Sequence, residues 1–157
     1  MKKQFLFAFL ILGLNLGLHQ MAAAQQTPYK TAFGLFLDLG NGGTYVGPHI
    51  KHFLNNQNAI QGTLLFGNGA TFIGGDYSYN KQIQNAPGLF WNVSGGAQIG
   101  FGNDQTAFLL RPAVGLEYKI KEIPIAVGFD WRPSWQLTQG SHFEAGRFGL
   151  TFKYVFK

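Results

Sequence analysis

Apolar and polar residues alternate without a break along the last strand-length segment of the chain, residues 147–156. One parity holds Phe148, Leu150, Phe152, Tyr154 and Phe156, and the other holds Arg147, Gly149, Thr151, Lys153 and Val155. Because side chains of a β-strand point to opposite faces in turn, this pattern predicts a strand with one aromatic face and one largely polar face. Such a strand is typical of a membrane barrel, which has lipid on one side and a polar lumen on the other.

Seven earlier segments alternate in the same way and are separated by turn-rich stretches. They cover residues 30–39, 45–54, 59–66, 71–80, 89–101, 107–119 and 125–137. Their lengths of 8 to 13 residues suit a tilted membrane strand of about 9 to 11 residues better than a soluble sandwich strand of about 5 to 6. The pattern therefore predicts an all-β protein, an eight-stranded antiparallel up-and-down transmembrane β-barrel.

The predicted connections are all short. With both termini expected in the periplasm, residues 55–58, 81–88 and 120–124 form periplasmic turns, and residues 40–44, 67–70, 102–106 and 138–145 form extracellular loops. Long outer loops are the usual place for a functional site in such barrels, and this chain has none. Pro48 and Pro112 cannot donate to a strand ladder, so each is expected at a bulge or near a strand end.

Composition agrees with a membrane barrel. Only 12% of the 157 residues are charged, against about 25% in a soluble domain, whereas 16% are aromatic and 22 residues are glycine. No segment after the N-terminal region approaches a membrane-spanning helix. The absence of cysteine from the chain excludes disulfides and lipid attachment through an N-terminal cysteine.

The N-terminal segment has the features of a secretory signal. Lys2 and Lys3 precede an apolar run over residues 5–18, and the small residues 22–24 offer a cleavage site. We therefore expect residues 1–24 to be a signal peptide and residues 25–157 to form one barrel domain. Loss of the two lysines lowers the formal charge from +5 to +3, and without a basic run no nucleic-acid partner is expected.

Four runs of sequence carry a family likeness. They are GPHIKHFLNNQNAIQGTLLF (47–66), APGLFWNVSGGAQIGFG (86–102), VGLEYKIKEIPIAVGFDWRPSW (114–135) and RFGLTFKYVFK (147–157). Together they resemble the small outer-membrane β-barrel proteins of Bacteroidota. The resemblance implies an eight-stranded barrel of the OmpA or OmpX kind, inserted by the barrel-assembly machinery, and it brings no catalytic residue. Such barrels usually end on an aromatic residue, whereas here Lys157 follows Phe156.

Charged residues on the polar parity are predicted to meet inside the lumen. This lumen charge network comprises Asp38, Lys51, Arg111, Glu117, Asp130, Arg132, Arg147 and Lys153. An eight-stranded barrel has an interior just wide enough for side chains, and an isolated buried charge is costly. We therefore expect the charges to pair and form a plug. A narrow ion path is the alternative, since inward glycines leave room beside the arginines.

The remaining candidate sites have weaker support. Aromatic residues near strand ends are interpreted as membrane-interface aromatics rather than ligand-stacking groups: Tyr45, Trp91, Tyr118, Trp131, Trp135, Tyr154 and Phe156. Ser141, His142 and Glu144 are of hydrolase type, but they lie in a predicted loop with no fixed geometry. His49 and His52 fall on opposite strand faces and have no third ligand. No catalytic, cofactor or metal site is expected.

The sequence thus predicts a non-enzymatic barrel of the cell outer membrane with a structural or interaction role in the envelope. Its expected partners are outer-membrane lipid and, during insertion, the assembly machinery, and it is expected to be a monomer. A narrow porin-like pore is the first alternative. The second is a soluble periplasmic lipid-binding barrel, in which the apolar faces would point inward.

Overall fold

The computed structural model describes residues 28–102, 105–138 and 140–156. The predicted signal peptide and Lys157 lie outside the described residues. The strands are β1 (Thr31–Gly40), β2 (Tyr45–Phe53), β3 (Asn58–Gly67), β4 (Ala70–Gln82), β5 (Leu89–Gly102), β6 (Gln105–Leu110), β7 (Ala113–Lys119), β8 (Ile125–Trp131), β9 (Ser134–Gln136), β10 (His142–Glu144) and β11 (Arg147–Phe156). No helix in the described part of the chain is long and apolar enough to cross a bilayer.

The strands form a closed antiparallel barrel. β1 through β5 form a meander, β5 pairs with both β6 and β7, and β7 pairs with β8. β8 then pairs with β11, and β11 pairs with β1 from Thr31↔Phe156 to Gly40↔Arg147. The eleven strands occupy eight positions around the barrel. Three of these positions are each filled by two consecutive segments of one interrupted strand: β6 with β7, β8 with β9, and β10 with β11. The predicted eight-stranded up-and-down barrel is confirmed.

Two of the three interrupted strands are broken at proline. Pro112 lies between β6 and β7, as predicted, and Pro133 lies between β8 and β9. Each proline follows an arginine whose backbone N–H still bonds to the neighbouring strand, Arg111 to the Gly96 carbonyl and Arg132 to the Arg147 carbonyl, both at 2.9 Å. The wall therefore stays continuous across each break.

Pro48 does not follow the prediction. It lies in the middle of β2, paired with Leu35 of β1, and no residue is inserted beside it. Instead, the β2–β3 ladder omits Gly47 and Pro48 between Val46↔Phe66 and His49↔Thr63. A local gap in the ladder is sufficient here because proline lacks only the one N–H.

The predicted loop 138–145 is also different in the structure. Its second half contains β10, which pairs with β9 from His142↔Gln136 to Glu144↔Ser134. Among the described strands β10 pairs only with β9, and β9 also pairs with β6, so the β9–β10 hairpin extends the wall at the loop end. Only a tertiary pairing stabilises a strand of three residues, which explains why the alternation of the sequence did not reveal it.

The faces of the wall have the predicted polarity. In β11, Lys153 is 2% exposed and its neighbour Phe152 is 52% exposed. The same division runs around the barrel, since apolar side chains such as Leu35, Ile73 and Phe129 are exposed on the outside. The apolar faces therefore form the outer surface, and the polar faces line the lumen.

The lumen has two distinct ends. The terminal end holds both ends of the described barrel, and the loop end holds the connection 41–44 between β1 and β2. The terminal end is closed by buried apolar side chains, here named the terminal plug: Tyr29, Ala32, Phe53, Ala59, Ala126 and Val155. Within it the Tyr29 and Phe53 rings pack edge to face with centroids 5.2 Å apart.

Candidate functional site

The eight residues of the predicted lumen charge network are all buried. The structure brings them together in three ion-paired clusters that follow one another along the lumen. These are named here the terminal, central and loop-end clusters. Asp76, which the sequence interpretation did not include, joins them, so that five buried cations meet four buried carboxylates among the described residues.

The terminal cluster is built on one carboxylate. Glu117 Oε2 of β7 accepts from Lys51 Nζ at 3.1 Å and also from Lys153 Nζ. Its other oxygen accepts from the Tyr29 hydroxyl at 2.6 Å, and Lys51 also donates to Asn80 Oδ1 at 2.7 Å. Burial raises the pKa of Tyr29 well above its usual range, and the charge of Glu117 raises it further. Tyr29 therefore remains a proton donor and links the terminal plug to the charges.

The central cluster has an excess of negative charge instead, because one cation lies between two carboxylates. Arg132 donates to Asp76 Oδ2 at 2.5 Å and to Asp130 Oδ1 at 3.1 Å. Its guanidinium lies 5.1 Å from the centroid of the Phe36 ring, a cation–π distance. The Phe36 ring has room because Gly149 faces it: a Cβ at that glycine would lie 2.6 Å from the ring.

The loop-end cluster again has two cations on one carboxylate. Asp38 accepts from Arg111 at 2.7 Å and from Arg147 at 2.8 Å. Arg111 also donates to Gln98 at 2.7 Å. Arg147 reaches the backbone carbonyls of Asn41 at 2.5 Å and Gly43 at 3.3 Å. Arg147 thus holds the β1–β2 connection against the wall.

The formal charge of the lumen alternates along the barrel. The terminal and loop-end clusters each carry one excess positive charge, and the central cluster carries one excess negative charge. Neighbouring clusters therefore attract each other, and such attraction is strongest where water is largely excluded. The arrangement lowers the cost of burying nine charges, a cost that isolated pairs recover only with good geometry and further hydrogen bonds.

Asp76 was missed because of its surroundings in the sequence. Gly74 and Gly75 precede it and conceal the alternation of β4. The signal that could have revealed it lies just downstream, where Ser78 and Asn80 share its parity and alternate with Tyr77 and Tyr79. In the structure Asp76, Ser78 and Asn80 are all buried in the lumen.

A cavity of about 360 Å³ opens at the loop end and is named here the vestibule. Its floor is the loop-end cluster, and its wall includes Tyr45, Phe72 and Leu109. Tyr45 was predicted to be a membrane-interface aromatic, but it lies inside: its ring packs against Phe72 at 4.9 Å and against the Arg147 guanidinium at 5.3 Å. Its parity with His49 and Lys51 turns it inward, which its position near a strand end does not reveal.

The other predicted interface aromatics lie on the outer face at two levels. Trp91, Tyr118, Tyr154 and Phe156 are near the terminal end, and Trp131 and Trp135 are near the loop end, as the register of β5, β7, β8 and β11 shows. Trp131 donates to the Ala145 carbonyl at 2.7 Å and Trp135 to Ser141 Oγ at 2.8 Å. The first bond joins the end of β8 to the segment between β10 and β11, and the second lies within the β9–β10 hairpin.

The side chains considered above as catalytic or metal-binding candidates make structural hydrogen bonds. Glu144 Oε1 accepts from the Gly146 backbone N–H at 2.8 Å and from Asn41 at 3.2 Å. These two hydrogen bonds, the first above all, hold the pKa of Glu144 below its usual range. His49 Nε2 bonds Gln61 in the lumen at 3.1 Å, while His52 bonds Thr31 at 2.8 Å on the opposite strand face.

Comparison with known proteins supports the fold. No protein-family model matches the chain, and no curated protein matches it. Among solved structures, the chain is similar to the N-terminal β-barrel domain of Pseudomonas aeruginosa OprF, with 16% identity and a TM-score of 0.61 over 79% of this chain and 96% of that one. It is also similar to a de novo designed transmembrane β-barrel, with 11% identity and a TM-score of 0.62 over 84% and 99% of the two chains.

The fold is that of an eight-stranded transmembrane β-barrel. Neisserial surface protein A also matches, with 15% identity and a TM-score of 0.46 over 80% of this chain and 95% of that one. Identities this low establish the fold alone. The expected relationship to Bacteroidota proteins therefore stays a prediction.

Proposed function

We propose that the protein is an integral outer-membrane β-barrel with a structural or interaction role in the cell envelope and a lumen filled by its own side chains. The observation that carries the proposal is the series of buried contacts at successive levels of the lumen. Tyr29 joins the terminal plug to the terminal cluster, and the ion pairs of Arg132 occupy the central level. Arg111 joins the central and loop-end clusters, because it donates both to the Arg132 carbonyl and to Asp38.

Membrane insertion is supported by the outer surface. A closed barrel satisfies its backbone groups within the wall, which is the requirement for a structure in hydrocarbon. The outward side chains of the strands are apolar, and 12% charge is too little to solvate a soluble domain of this size. A membrane supplies the apolar surroundings that this surface needs. The fold matches a bacterial barrel domain and a designed transmembrane barrel, which is consistent with an outer-membrane location.

A closed lumen is supported by ion pairs that join side chains from opposite sides of the barrel. Lys51 and Glu117 come from opposite sides of the barrel and meet at 3.1 Å. An ion crossing this level would have to separate a buried pair and leave both charges unpartnered, which costs several kcal/mol or more. None of the described residues that line the vestibule belongs to the central or terminal cluster, and the deepest of them are Asp38, Arg111 and Arg147. A narrow pore is therefore the competing function that the experiment must test.

A lipid carrier with an inward apolar face does not agree with the observed polarity. That function requires Phe148, Phe152 and Tyr154 to line a cavity, but all three are exposed on the outside. The interior holds charges instead. A soluble lipid-binding role is not part of the proposal, and neither is catalysis.

Two measurements on the refolded protein test the proposal. After folding into phosphatidylcholine vesicles, we expect faster gel migration of the unboiled sample than of the boiled one, because a closed barrel resists denaturation by detergent. In a planar bilayer we expect no steps of conductance across the voltage range, with a general porin as the positive control. Equal mobility of the two samples would contradict the membrane barrel, and regular conductance steps would establish the pore instead.

A further inference from the structure

Two grooves adjoin at β7, β8 and β11, one on the outer face of these strands and one at the rim of the terminal end. The first, here named the tail groove, has a volume of about 260 Å³ and is lined by outward side chains of β7, β8 and β11 on the terminal side of Phe129 and Leu150. The register sets Val127 in one row between Tyr118 and Phe152. A small side chain between two aromatic rings forms the floor of this groove, and its other outward side chains, among them Leu116 and Phe129, are apolar.

The second groove, here named the head groove, has a volume of about 560 Å³ and lies at the terminal end of the same strands. It is lined by Lys119 at the end of β7, by residues 121–124 of the β7–β8 turn and by Tyr154, Val155 and Phe156 of β11. Because Val155 faces the lumen, whereas Tyr154 and Phe156 face outward, this groove lies at the rim of the barrel. Tyr154 is the next outward residue after Phe152 of the tail groove, about 7 Å further along the strand. The two grooves therefore adjoin, one apolar and one with cations and aromatic rings.

The cations outside the lumen are distributed unevenly. In the described ranges, the Lys and Arg residues that do not belong to the lumen charge network are Lys30, Lys81, Lys119 and Lys121, and all four lie at the terminal end. Arg111, Arg132 and Arg147, which are nearer the loop end, are buried. The terminal end also carries Glu122, so lysine outnumbers carboxylate there. This excess of positive charge makes the terminal end electrostatically complementary to an anionic surface.

The two lysines of the head groove differ in the hydrogen bonds that they make. Lys119 Nζ donates to the carbonyls of Ile120 and Ile123, the latter at 2.8 Å, which positions the ammonium in the turn. Lys121 is exposed and makes no hydrogen bond or ion pair with the described residues. An anionic oxygen in this groove would meet one positioned ammonium and one free ammonium.

We propose that these grooves form a binding site for one anionic diacyl phospholipid in the leaflet at the terminal end. The head groove holds the phosphate with Lys119 and Lys121, Tyr154 and Phe156 flank the glycerol region, and one acyl chain lies in the tail groove over Val127. The proposal rests on the membrane insertion proposed above. It assigns to that surface a specific lipid site rather than general contact with hydrocarbon.

The test is native mass spectrometry of the folded protein released from nanodiscs that contain equal amounts of phosphatidylglycerol and phosphatidylcholine. We expect preferential retention of one phosphatidylglycerol. Lys121→Gln should lower that retention by about fivefold, the effect of one lysine near an anionic surface. The matched control is Lys81→Gln, a change of the same charge at the same end on β4, which should leave retention unchanged. Val127→Phe fills the tail groove and should reduce retention of either lipid.

Each opposite outcome overturns the site. Equal retention of the two lipids by the unaltered protein would exclude anionic recognition. An equal loss from Lys81→Gln and Lys121→Gln would show a diffuse field around the terminal end instead of a site. Full retention by Val127→Phe would exclude the acyl-chain contact. Gel mobility with and without boiling is recorded for every sample, so failure to fold into the bilayer is recognised separately as failure of the proposed function.

Discussion

The Lys51 ammonium lies 3.1 Å from the Glu117 carboxylate, although β2 and β7 stand on opposite sides of the eight-position wall. This pair spans the lumen, and Lys153 pairs with the same carboxylate oxygen. Burial of all three residues makes the network both a plug and a determinant of stability.

Glu117→Gln is expected to destabilise the folded barrel by about 3–5 kcal/mol, because it leaves two buried ammonium groups without their partner. Urea unfolding in lipid vesicles, followed by tryptophan fluorescence, measures the change. The control is Glu122→Gln in the β7–β8 turn, where the carboxylate is exposed and the expected change is within about 0.5 kcal/mol. Similar values for the two variants would contradict a structural role for the terminal cluster.

Arg132 and Asp76 are expected to be energetically coupled across the lumen. In a double-mutant cycle with Arg132→Met and Asp76→Asn, the interaction energy should be about 1–3 kcal/mol. The 2.5 Å contact is buried, and each single change leaves a charge in the lumen with fewer partners. The same unfolding assay applies. Additive effects of the two changes would show that the contact does not hold the central cluster together.

Gly149→Ala should destabilise the barrel by about 1–3 kcal/mol through overpacking. Its Cβ would lie 2.6 Å from the Phe36 ring and 2.5 Å from Asp130 Oδ1. Gly95→Ala on the exposed face of β5 is the matched control, since nothing lies within 4 Å of a Cβ there. A control as destabilised as Gly149→Ala would contradict the steric explanation.

The β9–β10 hairpin is expected to loosen in acid. The Glu144 carboxylate has its pKa lowered by the Gly146 N–H and then by Asn41, so it stabilises the hairpin above its unfolded-state pKa of about 4.3. That contribution is lost as the pH falls through the lower folded-state value. The protection factors of the amides of residues 142–146, which compare their exchange with the intrinsic rate at the same pH, should therefore fall below about pH 4.

Glu144→Gln provides the control for this pH dependence. The amide keeps an oxygen that can accept from Gly146 but has no carboxyl group to titrate. Residues 142–146 of the variant should exchange at a rate with no additional acid step. An acid step of the same size in both proteins would assign the loosening to another group.

Much of the barrel could be predicted from local pattern. The alternation of β11 and of seven earlier segments gave the strand count, the outer face and the inward side of eight charges. Pro112 lies next to a strand end, as expected, although the segment 107–119 was predicted as one strand. Pro48 instead lies inside β2 beside a gap in the ladder. Asp76 was missed because two preceding glycines conceal the alternation of β4. The strand β10 was missed because three residues are too few to show an alternating pattern.

The sequence by itself determined on which side of the wall each strand residue lies, because a period of two is a property of the extended backbone and needs no partner. Only the tertiary structure decided which charge meets which. Lys51 pairs with Glu117, Arg132 pairs with Asp76, and the Tyr45 ring packs against the Arg147 guanidinium. These contacts form because closure of the wall and its register bring residues from distant strands to the same level of the lumen. The same closure sets Val127 between Tyr118 and Phe152.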